Sequence, residues 1–473
     1  MPTFPVKTFH SRFQTIALSV VVNLSRFVLG AVFVFSGFVK AIDPLGTQYK
    51  IQDYLAAVGL SGAIPDFVTL IASILLAGLE FSLGVLMLFA MHRRLTSKLM
   101  VAFMAVMTLI TVWLAVFNPV KDCGCFGDAI HLTNVETLLK NIVLLACAVV
   151  VAWKPLEMYR FLSRSTQWIA VNYTVLFILL MSGYCLYHLP IFDFRPYHIG
   201  VNIKRDMAIP PDAPQPEFET TFILQKNGMK KEFTLDNYPD STWQFVDSKT
   251  VQTKEGYVPP IHDFSIQRAD GEDITDSILT RKGYTFLLIA PHLETADDSN
   301  FGDIDQIYEY CQDNKIPFYC LTASVGKAIS HWQNITGAEY PFLFTDETTL
   351  KTIVRSNPGL LLLKDGTIIR KWGHNDMPSS QQLQAPLAKL EIGHLPNDSV
   401  GKTLTQVLLW FFMPLFILVF ADRMWAWTKF VKRKIRERKE LLIAEEEKLE
   451  ETSNKIFSSF NKHNKNEKEN CSR

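Results

Sequence analysis

Six long apolar segments stand out in the hydropathy pattern of the 473-residue chain. Each is close to, or longer than, the roughly 20 residues that an α-helix needs to cross the hydrocarbon core of a bilayer. They span residues 15–38, 67–90, 99–117, 135–153, 168–189 and 404–421. The pattern predicts a membrane protein with five helices near its N-terminus and a sixth helix close to its C-terminus. The first segment is too long for the apolar region of a cleavable signal peptide, so we expect an uncleaved signal anchor.

Basic residues in the short connections predict the orientation of the helices, because Lys and Arg are enriched on the cytoplasmic side. They lie before the first helix, in the second and fourth connections, and after the sixth helix: Lys7, Arg12, Arg93, Arg94, Lys98, Lys154, Arg160, Arg164 and seven of residues 429–439. This distribution predicts a cytoplasmic N-terminus and a cytoplasmic tail. Residues 190–402 would then lie outside the cytoplasm.

The region between the fifth and sixth helices shows two patterns. Residues 190–260 combine a Pro-rich linker with β-like alternation around a hairpin signal at Asn227-Gly228. Residues 261–394 alternate between strand and helix patterns, which favours an α/β layer fold. The strands are predicted at 285–290, 316–322, 341–344, 360–363 and 367–371, and the helices at 301–314, 325–336 and 346–356. The predicted fold class is a multi-domain membrane protein that joins a transmembrane helical bundle to an α/β domain.

Composition predicts the remaining boundaries. Residues 1–189 form the membrane domain, residues 395–425 hold a linker and the sixth helix, and residues 426–473 form a basic, charged helical tail. The tail is a candidate surface for a cytoplasmic partner, and the lipid bilayer surrounds the helices. Lys+Arg and Asp+Glu both number 47, so no overall positive field points to nucleic acid.

The sharpest chemical motif is Asp122-Cys-Gly-Cys-Phe-Gly-Asp128, which the topology places at the outer face. Disulfides persist in that compartment. A disulfide between Cys123 and Cys125 would close a small, strained ring that is readily reduced, so the pair suits redox exchange. Two alternatives remain open: a pair of structural thiols, or half of a metal site. We assign no metal, because His131 is the only other good ligand nearby in the sequence.

Two further cysteines lie in predicted helices. Cys185 is near the outer end of the fifth helix, at about the depth of the Cys-Gly-Cys loop. It is a candidate resolving thiol, with packing as the alternative. Cys147 lies deep in the fourth helix and is assigned to packing, since a free cysteine behaves as a small apolar residue.

Arg26 and Glu80 are charged residues inside the first and second apolar segments. Charges within a membrane are paired or functional by default. Both fall near the middle of antiparallel helices, so the sequence predicts an ion pair between them. The pair could be a structural clamp or take part in quinone or proton handling.

The membrane region resembles the DoxX-like family and, more closely, its methylamine-utilisation MauE branch. The resemblance covers about residues 15–155 and rests on Arg26, Gly30, Phe35, Ser36-Gly37, Lys40, Asp43-Pro44, Glu80, Gly84, Asp122–Gly127, Thr137 and Lys140-Asn141. It implies a four-helix module linked to disulfide formation, to maturation of exported redox proteins and to quinone-coupled oxidation. The whole arrangement is similar to a Bacteroidetes-type architecture with an added exported domain. That resemblance implies a bacterial inner-membrane protein in which residues 190–402 are periplasmic.

Residues 261–394 resemble a thioredoxin-like domain of the peroxiredoxin-related type. The resemblance rests on the segments His262–Ile266, Gly271–Asp273, Thr285–Ala290 and Asn357–Gly366. The resemblance implies that Pro358 is a cis-proline and that a dithiol follows the 285–290 strand. However, Pro291–Asn300 contains no cysteine, and Cys311 and Cys320 are misplaced for catalysis. The domain is therefore expected to be redox-inactive and to bind or dock a partner.

Together these features predict a membrane component of thiol–disulfide exchange or quinone-linked electron transfer. Cys123 and Cys125 would exchange with an exported redox protein, and a membrane quinone is the candidate cofactor. The competing hypothesis is a non-enzymatic assembly or scaffold protein that uses a redox-inactive docking domain.

Overall fold

The computed structural model contains a region of long helices and a separate α/β region. The structure describes residues 7–120, 122–214, 217–226, 229–234, 244–254, 256–397 and 400–470. Within these residues, six helices are long and apolar enough to cross a membrane. Each of the six apolar segments predicted from the sequence lies largely within one of these helices.

The N-terminal helical region contains six helices, five of which are the apolar ones. The helices are α1 (Lys7–Ile42), α2 (Pro44–Ala57), α3 (Asp66–Leu88), α4 (Arg93–Phe117), α5 (Asn134–Trp153) and α6 (Gln167–Tyr187). The sequence analysis did not predict α2, which follows α1 almost directly. Asp43 separates the two helices and accepts a hydrogen bond from the Gly46 N–H as the N-cap of α2, and Pro44 fills the first helical position, where no N–H is needed.

Small residues bring α1 and α3 into close contact. A Cβ atom at Gly37 would lie 2.3 Å from the backbone nitrogen of Phe81, and one at Gly30 would lie 2.5 Å from Cγ of Leu88. Small residues let helix backbones approach in this way inside membranes. The two glycines therefore fix the antiparallel register, in which Gly37 lies level with Phe81 and Gly30 lies level with Leu88.

A small antiparallel sheet follows the short helix α7 (Ile203–Met207). It consists of β1 (Glu217–Lys226), β2 (Met229–Thr234) and β3 (Gln244–Lys254), in the order β2-β1-β3. Lys226 pairs with Met229 at the end of the β1–β2 ladder. The predicted turn residues Asn227 and Gly228 lie outside the described residues.

The α/β domain is built on a five-stranded mixed sheet. Its strands are β4 (Tyr284–Ala290), β5 (Phe318–Thr322), β6 (Phe342–Phe344), β7 (Gly359–Lys364) and β8 (Thr367–Gly373), and its helices are α8 (Thr275–Leu279), α9 (Phe301–Asp313), α10 (Lys327–Thr336) and α11 (Glu347–Ile353). The order is β6-β5-β4-β7-β8. β4, β5 and β6 are parallel, whereas β7 and β8 are antiparallel to their neighbours. Each element predicted between 285 and 371 overlaps a helix or strand of the predicted type.

The last helix, α12 (Val400–Asn470), joins the sixth apolar segment to the charged tail without a break. Its apolar part packs on the N-terminal helical region. The ring of Phe411 lies 5.1 Å from that of Phe81 and 4.8 Å from that of Phe177. Further along, the Asp422 carboxylate accepts hydrogen bonds from the Ser163 N–H and the Thr166 hydroxyl. These contacts attach α12 to α3, to α6 and to the connection that precedes α6.

Candidate functional site

The candidate site is the loop between α4 and α5 that carries Cys123 and Cys125. Two glycines give this loop its shape: Gly124 has φ +63° and Gly127 has φ +51°. Left-handed backbone is accessible to glycine without a Cβ clash. Asn134 holds the base of the loop, because its side-chain amide donates to Asn118 Oδ1 at 2.6 Å. The sequence therefore folds the Cys-Gly-Cys segment into a tight turn above the helices.

The two thiols are adjacent in space. The Sγ–Sγ distance is 2.8 Å; the Cys123 side chain is buried and that of Cys125 is partly buried. Helix α2 supports the loop from one side. The Tyr54 hydroxyl donates to the Cys123 carbonyl oxygen at 2.5 Å, and Lys50 Nζ lies 2.6 Å from Asp122 Oδ1.

A buried ion pair supports the loop from below. Lys40 Nζ lies 2.7 Å from Glu80 Oε2, with side-chain exposures of 5% and 4%. Lys40 also donates to the Ser36 hydroxyl at 2.7 Å and to the Cys125 carbonyl oxygen at 2.6 Å. An ammonium group has three donors, so each has a partner here. The Ser36 hydroxyl lies 2.7 Å from both Glu80 Oε2 and the Cys125 carbonyl oxygen, and it can donate to either.

The surroundings of the thiols shift their pKa values in opposite directions. A hydrogen bond from the Cys123 thiol lowers the pKa of Cys125; burial opposes this effect, while the positive charges of Lys140 and Lys40 add to it. The hydrogen bond to Cys125 and burial raise the pKa of Cys123. Of the two sulfurs, Cys125 is therefore the one whose surroundings favour the thiolate, the form of cysteine that acts as a nucleophile.

Lys140 of α5 completes the surroundings of Cys125. Its Nζ atom lies 4.3 Å from the centre of the Phe126 ring, at a distance typical of a cation–π contact. Cys125, Lys40, Glu80 and Lys140 all line one cavity of about 30 Å³ between the helices. That volume is close to the space that one water molecule occupies in the liquid.

The predicted Arg26–Glu80 ion pair is not formed, and this prediction was wrong. Glu80 is paired with Lys40, whereas Arg26 Nη1 donates to the Tyr159 carbonyl oxygen at 2.6 Å. The helix register explains the difference. Gly37 lies level with Phe81, and Arg26 is eleven residues earlier on α1, which corresponds to roughly 16 Å along the helix.

Cys185 is near the end of α6 but does not join the thiol pair. It is buried in an apolar cluster with Ile42, Met181, Phe192 and Val407. No contact joins it to Cys123 or Cys125 in the described part of the chain, so the structure favours packing over a resolving role. Cys147, also in a helix, packs at the edge of another apolar cluster.

The α/β domain contacts the thiol loop through one buried arginine. Arg355 Nε lies 3.0 Å from Asp43 Oδ2, and Arg355 Nη2 lies 3.2 Å from Asp128 Oδ2. The arginine side chain is 6% exposed. Asp43 follows α1 and Asp128 ends the Cys-Gly-Cys motif, so a single side chain joins the domain to both parts of the helical region.

Two cavities lie between α2 and the α/β domain. One has a volume of about 690 Å³ and the other of about 490 Å³. Tyr49, Gln52, Glu347 and Lys351 line both of them, and the smaller cavity extends to Gly124 in the thiol loop. The loop backbone is therefore approachable from the space between the two regions.

The end of β4, where the resemblance implied a dithiol, faces the larger of these cavities. His292, Glu294 and Thr295 line it there. The Asn357–Pro358 peptide bond is cis, as the resemblance implied, and Asn357 lines the same cavity. Burial raises the pKa of Cys311 to about 12, and it also raises the pKa of Cys320. These two thiols lie in the domain core and not at this cavity.

Among the described residues, no group of three or more His, Cys, Asp or Glu side chains could hold a metal ion. His131 Nδ1 lies 3.5 Å from Asp122 Oδ2, but its side chain is 64% exposed.

Sequence reasoning missed the roles of Lys40, Tyr54, Lys140 and Arg355 at this site. Lys40 carried a signal: it lies in the last turn of the first apolar helix and is one of the residues on which the family resemblance rests. Lys140 was also named only among the residues on which the family resemblance rests. Nothing local in the sequence marks Arg355, because its partners lie more than two hundred positions away.

Comparisons with known proteins assign part of the chain. Residues 218–255 match a domain of unknown function, DUF8463. No curated protein matches the sequence. The solution structure of "a putative protein disulfide isomerase from Bacteroides thetaiotaomicron" is similar over 26% of this chain and 82% of that chain, with 16% identity and a TM-score of 0.21. This TM-score is too low to support an argument about fold or function.

The helical region gives the informative match. Residues 18–154 match the family model described as methylamine utilisation protein MauE. The matched segment contains Cys123 and Cys125, the Lys40–Glu80 ion pair and Lys140. The membrane region that holds the candidate site is therefore similar to MauE over residues 18–154.

Proposed function

We propose that this protein is a membrane component of thiol–disulfide exchange in which Cys123 and Cys125 form the reactive pair. The observation that carries the proposal is the Sγ–Sγ distance of 2.8 Å in a loop held by Lys40 and Tyr54. Two structural thiols would not need neighbours that favour ionisation of one sulfur and oppose ionisation of the other.

The exchange step follows from the surroundings of each sulfur. The Cys125 thiolate attacks a disulfide of the partner protein, forms a mixed disulfide and releases one partner thiolate. The Cys123 thiol then loses its proton and attacks Cys125, which forms the Cys123–Cys125 disulfide and releases the second partner thiolate. Two thiols of this chain are oxidised and one partner disulfide is reduced to two thiols. The reverse sequence oxidises the partner by the same path.

The proposed location of this chemistry is the outer face of the bacterial inner membrane. The distribution of Lys and Arg in the connections supports it, because these residues favour the cytoplasmic side. The α/β domain, which we propose to be thioredoxin-like and periplasmic, would position an exported redox protein at the cavities beside α2. The order of the five strands supports that fold.

A membrane quinone does not fit the cavity that Cys125 lines. The cavity at Cys125 has a volume of about 30 Å³, which suits one water molecule and not a quinone ring. We therefore derive no step through a quinone. The exchange partner is instead a disulfide or dithiol of another protein.

Trapping the mixed disulfide tests the proposal. Cys123→Ser leaves the attacking Cys125 without its resolving partner, so a covalent adduct that dithiothreitol removes should accumulate in cells. Cys125→Ser and Cys147→Ser serve as controls and should give little or none. An equal yield of adduct from Cys147→Ser, or none from Cys123→Ser, would reject the proposed exchange.

One observation favours a second function, a scaffold that docks an exported protein without redox chemistry. The end of β4 faces a cavity of about 690 Å³ but carries no cysteine. The double variant Cys123→Ser/Cys125→Ser separates the two proposals. If the protein is a scaffold, the double variant would still co-purify with the exported partner and support maturation of that partner. If it is an exchange protein, the double variant would no longer support that maturation.

A further inference from the structure

The Lys40–Glu80 ion pair lies directly beneath the thiol loop. Lys40 donates to the Cys125 carbonyl oxygen at 2.6 Å and lies 2.7 Å from Glu80. A buried ion pair is weak evidence for stability, because desolvation offsets the attraction between its charges. The glycine contacts of α1 with α3 already bring these helices together. The position of the pair under Cys125 thus calls for another role.

We propose that Lys40 and Glu80 are positioning residues for the exchange reaction: Lys40 fixes the Cys125 backbone, and the two opposite charges set how readily the Cys125 thiol ionises. This inference rests on the proposed function, since it concerns the same thiol pair. It adds two residues of α1 and α3 to the machinery and assigns them opposite effects.

The charged groups around Cys125 come from several elements. Lys40 on α1 and Lys140 on α5 favour the thiolate, whereas Glu80 on α3 opposes it. In the loop, Cys123 Sγ lies 2.8 Å from Cys125 Sγ, and Asp122 is paired with Lys50 of α2. An opposite charge favours the ionised form of a group and a like charge disfavours it. Removal of Lys40 and removal of Glu80 should therefore shift the pKa of the Cys125 thiol in opposite directions.

The test measures the rate of iodoacetamide alkylation of Cys125 against pH, in the full chain in native membranes. All variants carry Cys123→Ser, so that mass spectrometry reports on a single loop thiol. Glu80→Gln keeps an oxygen that can accept from Lys40 but removes the negative charge. Lys40→Met removes the positive charge, and Lys40→Arg retains it.

We expect Glu80→Gln to lower the alkylation midpoint and Lys40→Met to raise it, each by about one pH unit, which is roughly a tenfold change in thiolate below the midpoint. The alkylation midpoint of Lys40→Arg should stay close to that of the protein that carries Cys123→Ser alone. Arg26→Met is the matched control: it removes another buried cation from α1, fourteen residues away or roughly 21 Å along the helix, and should leave the midpoint unchanged.

A purely structural pair would give a different result. Both charge-removing variants would then loosen the loop. The alkylation midpoint of Cys125 would shift in the same direction in both variants, towards that of an exposed thiol. That outcome, or no shift in either variant, would overturn the inference. If Lys40→Met does not accumulate, the sign of the Glu80→Gln shift decides. The mixed-disulfide experiment is independent, so failure of the exchange function and failure of this inference can be told apart.

Discussion

Arg355 in the α/β domain forms an ion pair with Asp43 in the helical region, at a distance of 3.0 Å and across 312 positions of sequence. The same guanidinium group contacts Asp128 at the end of the Cys-Gly-Cys motif. The thiol loop is thus held by the helices on one side and by the α/β domain on the other.

Replacement of Arg355 should release the α/β domain from the thiol loop. Arg355→Met leaves Asp43 and Asp128 without their buried partner, and breaking such a pair costs about 3–5 kcal/mol. We expect faster hydrogen exchange in α11 and faster alkylation of Cys125. Arg268→Met removes an arginine of the same domain from an exposed pair with Glu272 and should change neither rate. If Arg355→Met left the rates of hydrogen exchange in α11 and of Cys125 alkylation unchanged, the proposed attachment of the α/β domain to the thiol loop would be contradicted.

The hydrogen bond between the two thiols should be visible in the pH dependence of alkylation. Because the Cys123 thiol lowers the pKa of Cys125, Cys123→Ala should raise that pKa. The rate of Cys125 alkylation would then begin to increase at higher pH than in the unaltered, reduced protein. Cys185→Ala, which alters a buried thiol outside the loop, is the control. A midpoint that does not change in Cys123→Ala would show that the thiols do not interact.

The close approach of α1 and α3 predicts a steric effect at Gly37. A Cβ atom there would lie 2.3 Å from the Phe81 backbone nitrogen, so Gly37→Ala must push the helices apart. Overpacking of this kind costs about 1–3 kcal/mol, and the melting temperature in detergent should fall. At Gly183 in α6, no atom lies within 4 Å of the added Cβ, so Gly183→Ala should have little effect. Equal melting temperatures for both variants would contradict the packing.

Hydrophobic patterning predicted most of the architecture. A run of about 20 apolar residues leaves few alternatives to a long apolar helix. In the α/β domain, short apolar runs alternate with segments of helical periodicity, and these short runs located the strands. Helix α2 was missed because its 14 residues are too short and too polar for that criterion. It matters to the site nonetheless, since Tyr54 and Lys50 lie on it.

The site was only partly predictable, because its charge pairing depends on helix register. Counting positions within two apolar segments placed Arg26 and Glu80 at the same depth. The contact of Gly37 with Phe81 instead brings Lys40 to Glu80. Similarly, Cys123 and Cys125 are obvious from their spacing, whereas Arg355 reaches the loop only through the packing of a separate domain.

Labelling of loop cysteines in intact cells with a membrane-impermeant thiol reagent tests the central claim most directly. The chain should carry Cys147→Ser and Cys185→Ser, so that Cys123 and Cys125 are the thiols of the membrane region. A Cys123–Cys125 disulfide at the outer face predicts little labelling of the loop peptide before mild reduction and strong labelling of it afterwards. Equal labelling before and after reduction would show free thiols, and labelling only after membrane disruption would place the loop on the cytoplasmic side; either result would contradict the proposed exchange at the outer face.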